Sequence, residues 1–203
     1  MAHASGSELE LDTQLMLLVK DGQHECFEQL AARHRRRLIH WLFRMVQDRA
    51  VAEELAQEVF LRVYLSRGNY QPTARFTTWL YRIANNRALN WIRDHSDETR
   101  RESLDSIPLR GMRRQFADET ASIAERLLDR ESETEFQATI RNAILALPAR
   151  QRAAVLMHKY EGLEYTQIAE ALNCNVSTVK SILWRAYTTL RMRLSHLGAN
   201  RLR

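Results

Sequence analysis

The chain has 203 residues and a net charge of +5, enough length for one large or two small domains with real cores. No apolar run approaches the ~20 residues that cross a bilayer, and the opening MAHASGSELELD lacks the cationic and apolar layout of a signal peptide, so a cytoplasmic protein without membrane insertion is predicted. Cys26 and Cys174 stand far apart with no metal-ligand spacing, which favours two idle thiols in a reducing compartment over a disulfide.

Six glycines, three prolines and no period-two alternation argue for an all-α fold. Residues 1–12 read as a disordered lead-in. Thr13 to Lys20 is a short helix closed by Asp21-Gly22. A longer helix follows, with Phe27, Leu30, His34, Leu38, Leu42 and Met45 on one stripe. The run Arg33-His34-Arg35-Arg36-Arg37 falls on its other face and is read as a solvated surface rather than a nucleic-acid patch.

In AVAEELAQEVFLRVYLSR, Val51, Leu55, Val59 and Val63 form the inward face. Glu54, Gln57, Glu58 and Arg62 point outward beside Leu61. This patch is either a solvated face with a Glu58–Arg62 pair four residues apart or a docking surface for a partner. Gly68 to Arg75 is a loop containing Pro72. In the next helix, FTTWLYRIANNRALNWIRD, the residues Phe76, Trp79, Leu80, Ile83, Leu89 and Ile92 fill a core. Tyr81, Arg82, Asn85, Asn86, Arg87, Asn90 and Arg93 are left partly exposed. Aromatic, Asn and Arg side chains together near a loop can stack on and hydrogen-bond unstacked bases; Trp79 is read as packing only.

The helical pattern is lost over residues 96–134, which read as an acidic linker with a short helix from Ala121 to Leu128. Residues 97–135 hold 7 basic and 11 acidic side chains, whereas residues 136–203 hold 10 and 3. Order returns at Glu135: FQATIRNAILAL ends at Pro148, and ARQRAAVLMHKY follows. Then GLEYTQIAEALNCNVSTVKSILWRA reads as two helices joined by a tight turn. Asn173 stands at the reversal and Asn175 or Ser177 at the cap. The second helix repeats Val176, Val179, Leu183, Ala186 and Leu190, leaving Ser177, Thr178, Lys180, Ser181, Trp184 and Arg185 outward. Such a helix suits the major groove, with the preceding helix resting on phosphates. The lone motif could equally be an ordinary helical hairpin. The four helices of residues 135–198 form a C-terminal domain, and residues 13–95 an N-terminal one.

Four segments in order, AEELAQEVFLRVY, FTTWLYRIANNRALNWIR, LPARQRAAVLMHKYEGLEYTQIAEAL and STVKSILWRA, resemble the bacterial RNA polymerase sigma factors. The resemblance is to the extracytoplasmic-function group, which keeps only the second and fourth conserved regions. It spans about Leu15–Asp94 and Phe136–Leu194. It implies two helical domains, core RNA polymerase and promoter DNA as partners, an anti-sigma protein as a further one, and no cofactor or metal. By position it implies that Glu54, Gln57 and Glu58 bind core polymerase, with Glu54 where Asp is more usual. It implies that Tyr70, Gln71, Thr73 and Arg75 wall a pocket for a flipped base of the melted minus-ten strand. Asn86, Arg87 and Asn90 would face that strand. Tyr165 and Thr166 would touch the backbone of the minus-thirty-five duplex while Ser177, Thr178, Lys180, Ser181, Trp184 and Arg185 read it. Asn173, Asn175 and Ser177 stand where Gly, Pro and Gly are usual, and Ile182 replaces a common Arg, removing one expected DNA contact. The acidic linker would lie along the RNA-exit path as a mimic of the transcript.

Two other readings compete. A dimeric helix-turn-helix regulator would need a dimerisation or ligand-sensing domain in front, where this chain instead places the acidic patch and the Asn-rich helix. An enzyme such as a recombinase or nuclease would need paired carboxylates, a Cys–His arrangement or a phosphate loop, and the sequence shows none; His24-Glu25 lacks the second His of a zinc-protease motif.

Overall fold

Eight α-helices and one 3-10 turn make up the computed structural model, which describes residues 6–105 and 135–199 and contains no strand among them. The helix assigned to Ala121–Leu128 lies outside the described residues. None of the described helices is long and apolar enough to cross a membrane.

The first helix, α1 (Gly6–Lys20), starts well before Thr13, so residues 6–12 are helical rather than lead-in. One residue of the added stretch is tied down. Asp12 is buried and accepts from Arg33 Nε at 2.9 Å and lies 2.8 Å from His34 Nε2, fastening α1 to the next helix. Arg33 is thus half of a structural ion pair, and His34 belongs to the core as the stripe required. Gly22, at φ +97°, makes the reversal that only glycine adopts without strain.

Helix α2 (Glu25–Val46) buries Leu30, Leu38, Trp41, Leu42 and Met45 along one face and ends on Gln47 in the left-handed conformation. Asp48 then caps α3 (Arg49–Leu65) by accepting from the Val51 amide at 3.0 Å. Leu55, Val59 and Val63 face inward. After the 3-10 turn Arg67–Asn69 and a loop comes α4 (Phe76–Asp105). It runs ten residues into the stretch read as linker: 30 helical residues in place of the nineteen the pattern marked.

The second bundle comprises α5 (Glu135–Leu145), α6 (Ala149–Lys159), α7 (Tyr165–Ala171) and α8 (Val176–Ala199). Pro148 sits at the N-cap of α6, one residue ahead of the first turn. Its core gathers Ala153, Leu156, Met157, Ile168, Leu172 and Leu183. The two bundles do not stand apart. α7 lies against α4, and α6 against α2.

Candidate functional site

The helix-turn-helix is built from local chemistry. At the start of α7 the Glu164 amide donates to Gln167 Oε1 at 2.8 Å, closing half of a capping box. The turn is made by Asn173 at φ +49°, with the Cys174 amide donating to the Ala169 carbonyl at 2.9 Å. Asn tolerates this conformation better than most residues other than Gly. Asn175, not Ser177, caps α8: its Oδ1 accepts from the Thr178 amide at 2.7 Å and from the Thr178 hydroxyl at 2.8 Å.

Val179, Leu183 and Ala186 sink into the core, which turns Ser177, Lys180, Ser181, Trp184 and Arg185 to the surface. Trp184 is 69% exposed, far more than a packing role allows. Thr178 is half-buried against its cap. The Ser181 hydroxyl donates to the Ser177 carbonyl at 3.1 Å, leaving its oxygen's acceptor capacity outward. In α7 Thr166 is exposed, whereas Tyr165 is half-buried with its ring 5.3 Å from that of His158. Ile182 packs against the core, so its side chain serves the bundle.

On the first bundle, Glu54 and Gln57 are exposed on α3, with Leu61 and Leu65 (57% and 67% exposed) further along the helix. Glu58 is half-buried and forms an ion pair with Arg87 of α4. The pair envisaged with Arg62 is replaced by one that ties two helices together, and Arg87 is already engaged.

The loop before α4 exposes Gln71, Thr73 and Arg75, but Tyr70 departs from the expectation. It is 1% exposed, with its ring 5.1 Å from Trp79 and 6.4 Å from Phe76, while its carbonyl accepts from Lys20 Nζ at 2.9 Å. The ring anchors the root of the loop and presents no stacking face. Trp79 packs, as read. Along α4, Arg82, Asn86 and Asn90 are exposed at four-residue spacing, one outward row. Tyr81 and Asn85, expected to be partly exposed, are 4% and 2% exposed. Tyr81 is edge-on to Trp41 at 5.6 Å.

Sequence reasoning missed the junction between the bundles. Glu161, just after α6, lies 3.3 Å from Arg37 and beside Tyr81, while Arg44 sits over the Tyr160 ring at 4.3 Å. Arg152 donates to the carbonyls of Met45 at 2.5 Å and Leu145 at 2.8 Å. Burial pushes the Glu161 carboxyl up, and the Tyr81 hydrogen bond and the Arg37 and Arg44 charges draw it partly back. The partners of these residues on the first bundle lie 80 or more positions away, and no local pattern joins them. One consequence is that Thr73 and Arg75 of the first bundle line a cleft together with Thr166 and Glu170 of the second. Among the described residues no three His, Cys, Asp or Glu side chains gather as a metal site.

Residues 30–98 match the family profile of Sigma-70 region 2 and residues 137–190 that of Sigma-70, region 4. The RNA polymerase sigma-H factor of Pseudomonas aeruginosa is 33% identical, over 87% of this chain and 90% of its own length. The sigma factor CarQ of Myxococcus xanthus is 32% identical, over 88% and 94%. The ECF RNA polymerase sigma-E factor of Escherichia coli is 29% identical, over 89% and 92%. Among solved structures, CnrH in complex with the cytosolic domain of CnrY superposes with a TM-score of 0.65 at 19% identity, over 92% of this chain and 98% of that one. The sigma factor RpoE of Bartonella quintana, bound to the anti-sigma factor NepR, gives 0.61 at 20% identity, over 83% and 96%. With both regions matched in order and a relative aligned along nearly its whole length, the chain belongs to the sigma-70 family of RNA polymerase sigma factors, in its extracytoplasmic-function group.

Proposed function

We propose that this chain binds core RNA polymerase and directs it to promoters, with no reaction of its own, and that its two bundles divide the work. The first docks on core polymerase through Glu54, Gln57 and the accessible side of Glu58, and holds the melted minus-ten strand along Gln71, Thr73, Arg75, Asn86 and Asn90. The second reads the minus-thirty-five duplex through Ser177, Lys180, Ser181, Trp184 and Arg185, with Thr166 on the backbone. Tyr70 supports the loop from beneath.

The observation that carries this reading is the composition of the exposed row on α4, Arg82, Asn86 and Asn90. Amide and guanidinium groups there serve base edges and phosphates, while α3, packed against the same helix, shows carboxylates to a protein. An anti-sigma factor, the kind of partner bound to the RpoE relative, is proposed as a regulator. The site of action is the cytoplasm.

Run-off transcription with purified core polymerase on genomic fragments, followed by start-site mapping, tests the function. Glu54→Lys with Glu58→Lys should weaken core binding by more than the ~0.2–1 kcal/mol of an exposed pair, since a buried unpaired charge results at the docked surface. Unchanged core affinity sinks the docking assignment.

A further inference from the structure

We infer that Lys20, the last residue of α1, is a positioning residue for minus-ten reading, its ammonium fixing the direction in which the loop 71–75 leaves the first bundle. The inference rests on the proposed role of that loop in holding the melted strand.

The loop is held at its ends. At the far end Phe76 is 1% exposed with its ring 5.3 Å from that of His34, and the Thr78 and Trp79 amides donate to the Arg75 carbonyl at 2.9 and 3.4 Å. At the near end the Tyr70 ring is buried and the Tyr70 amide donates to the Arg67 carbonyl at 3.1 Å. The Tyr70 carbonyl is the last backbone group before the exposed residues, and Lys20 Nζ donates to it at 2.9 Å across 50 positions of sequence. Among the described residues, the backbones of Gln71, Pro72, Thr73 and Ala74 share no hydrogen bond with another backbone group. The course of the loop is therefore set from outside it. A lysine in the last turn of a helix ordinarily serves the free carbonyls of its own helix. This one donates to a different element.

The restraint passes along the chain by covalent geometry. A carbonyl held in place fixes the plane of its peptide bond, here Tyr70–Gln71. Gln71 precedes Pro72, which confines it to extended conformations, and the Pro72 ring locks its own φ. Three successive restraints thus run from the Lys20 ammonium to Thr73, the exposed residue at the middle of the loop. A hydrogen bond of about 2.9 Å does not survive a drift to about 3.6 Å, so Thr73 discriminates between bases only while the peptide behind it is held.

The test uses the full chain with core polymerase, on a promoter located by start-site mapping and varied at each minus-ten base. Lys20→Met keeps the apolar stem and removes the ammonium, whereas Lys20→Arg keeps a charged donor. The methionine variant should lose preference at one minus-ten position by about three- to tenfold, the fold-change of a charge-assisted hydrogen bond on an exposed side chain. The arginine variant should recover most of it. Affinities for core polymerase and for the minus-thirty-five duplex should not change. Lys20 is exposed at a helix end, so both variants should fold, which thermal unfolding checks. Equal selectivity of parent and Lys20→Met at every position overturns the positioning role, as does a loss that Lys20→Arg fails to recover. A uniform loss across all bases overturns it too, and with a salt slope smaller by about 0.7 it makes Lys20 a phosphate contact instead. A parent chain that shows no minus-ten preference removes the functional reading and this inference with it. A selective parent with an equally selective Lys20→Met removes the inference alone.

Discussion

Replacing Asn175 by alanine tests whether the cap of α8 also aims the DNA-reading turn. The side chain does two things: it satisfies the Thr178 amide at 2.7 Å, and it holds the Thr178 hydroxyl at 2.8 Å. Loss of a cap costs about 0.5–2 kcal/mol, with ~1 typical. The residue is exposed, so water replaces part of the lost bond and no buried group is orphaned, which places Asn175→Ala near the typical value. The same free energy appears in binding, because the first turn carrying Ser177 and Thr178 must be ordered again on the DNA. About 1 kcal/mol is a fivefold loss of affinity for a minus-thirty-five duplex. Asn175→Ser, which keeps a cap, should recover most of it. Denaturant unfolding and fluorescence anisotropy of the full chain measure the two quantities. Lowered stability with unchanged duplex affinity in the alanine variant would falsify the coupling of cap to reading turn.

Tyr70→Ala should cost about 3–5 kcal/mol of stability, the range for a large buried ring, whereas Tyr70→Phe should cost far less; calorimetry on the two variants separates a packing role from base stacking. Asn86→Ala should relax preference at one minus-ten position and leave stability nearly unchanged, which transcription from promoters varied at each minus-ten base would show; a uniform change across all promoters counts against the contact. At Asp12, burial is the largest single influence and pushes the carboxyl up, but the His34 hydrogen bond and the charges of His34 and Arg33 together hold it below the usual range. Its contribution to stability is therefore present above the unfolded value of ~3.9 and lost as pH falls through the folded one. Asp12→Ala should destabilise by about 2 kcal/mol at pH 7, and the gap from the parent should shrink as unfolding is measured below pH 4.

The parts of the fold visible in the sequence are those where one helix face answers one core. The stripe of α2, the inward face of α3 and the spacing of Val179, Leu183 and Ala186 fall where the 3.6-residue period puts them, because each packs against a single neighbouring surface. α4 is harder to read. It is covered by the first bundle on one side and by α7 on another, so Tyr81 and Asn85 are buried although the local pattern leaves them outside. Tyr70 failed for a related reason: a loop residue's burial depends on what folds over it, here Phe76, Trp79 and α1. The outward residues of α8 were legible because a capped helix exposes one face by geometry alone. Glu161 and Arg152 were not, since their partners lie 124 and 107 positions away.

The ion pair between Glu58 and Arg87 sets up an exchange. A carboxylate on α3, the helix proposed to face the polymerase, and a guanidinium on α4, the helix proposed to face the strand, neutralise each other in the free protein. A basic partner that takes the carboxylate leaves the guanidinium short of an anion, and the nearest alternative anion is a nucleic-acid phosphate. By the reciprocity of linked equilibria, a strand that claims the guanidinium returns the carboxylate to the partner. On the proposed reading, protein and DNA would strengthen one another's hold through this one shared ion pair.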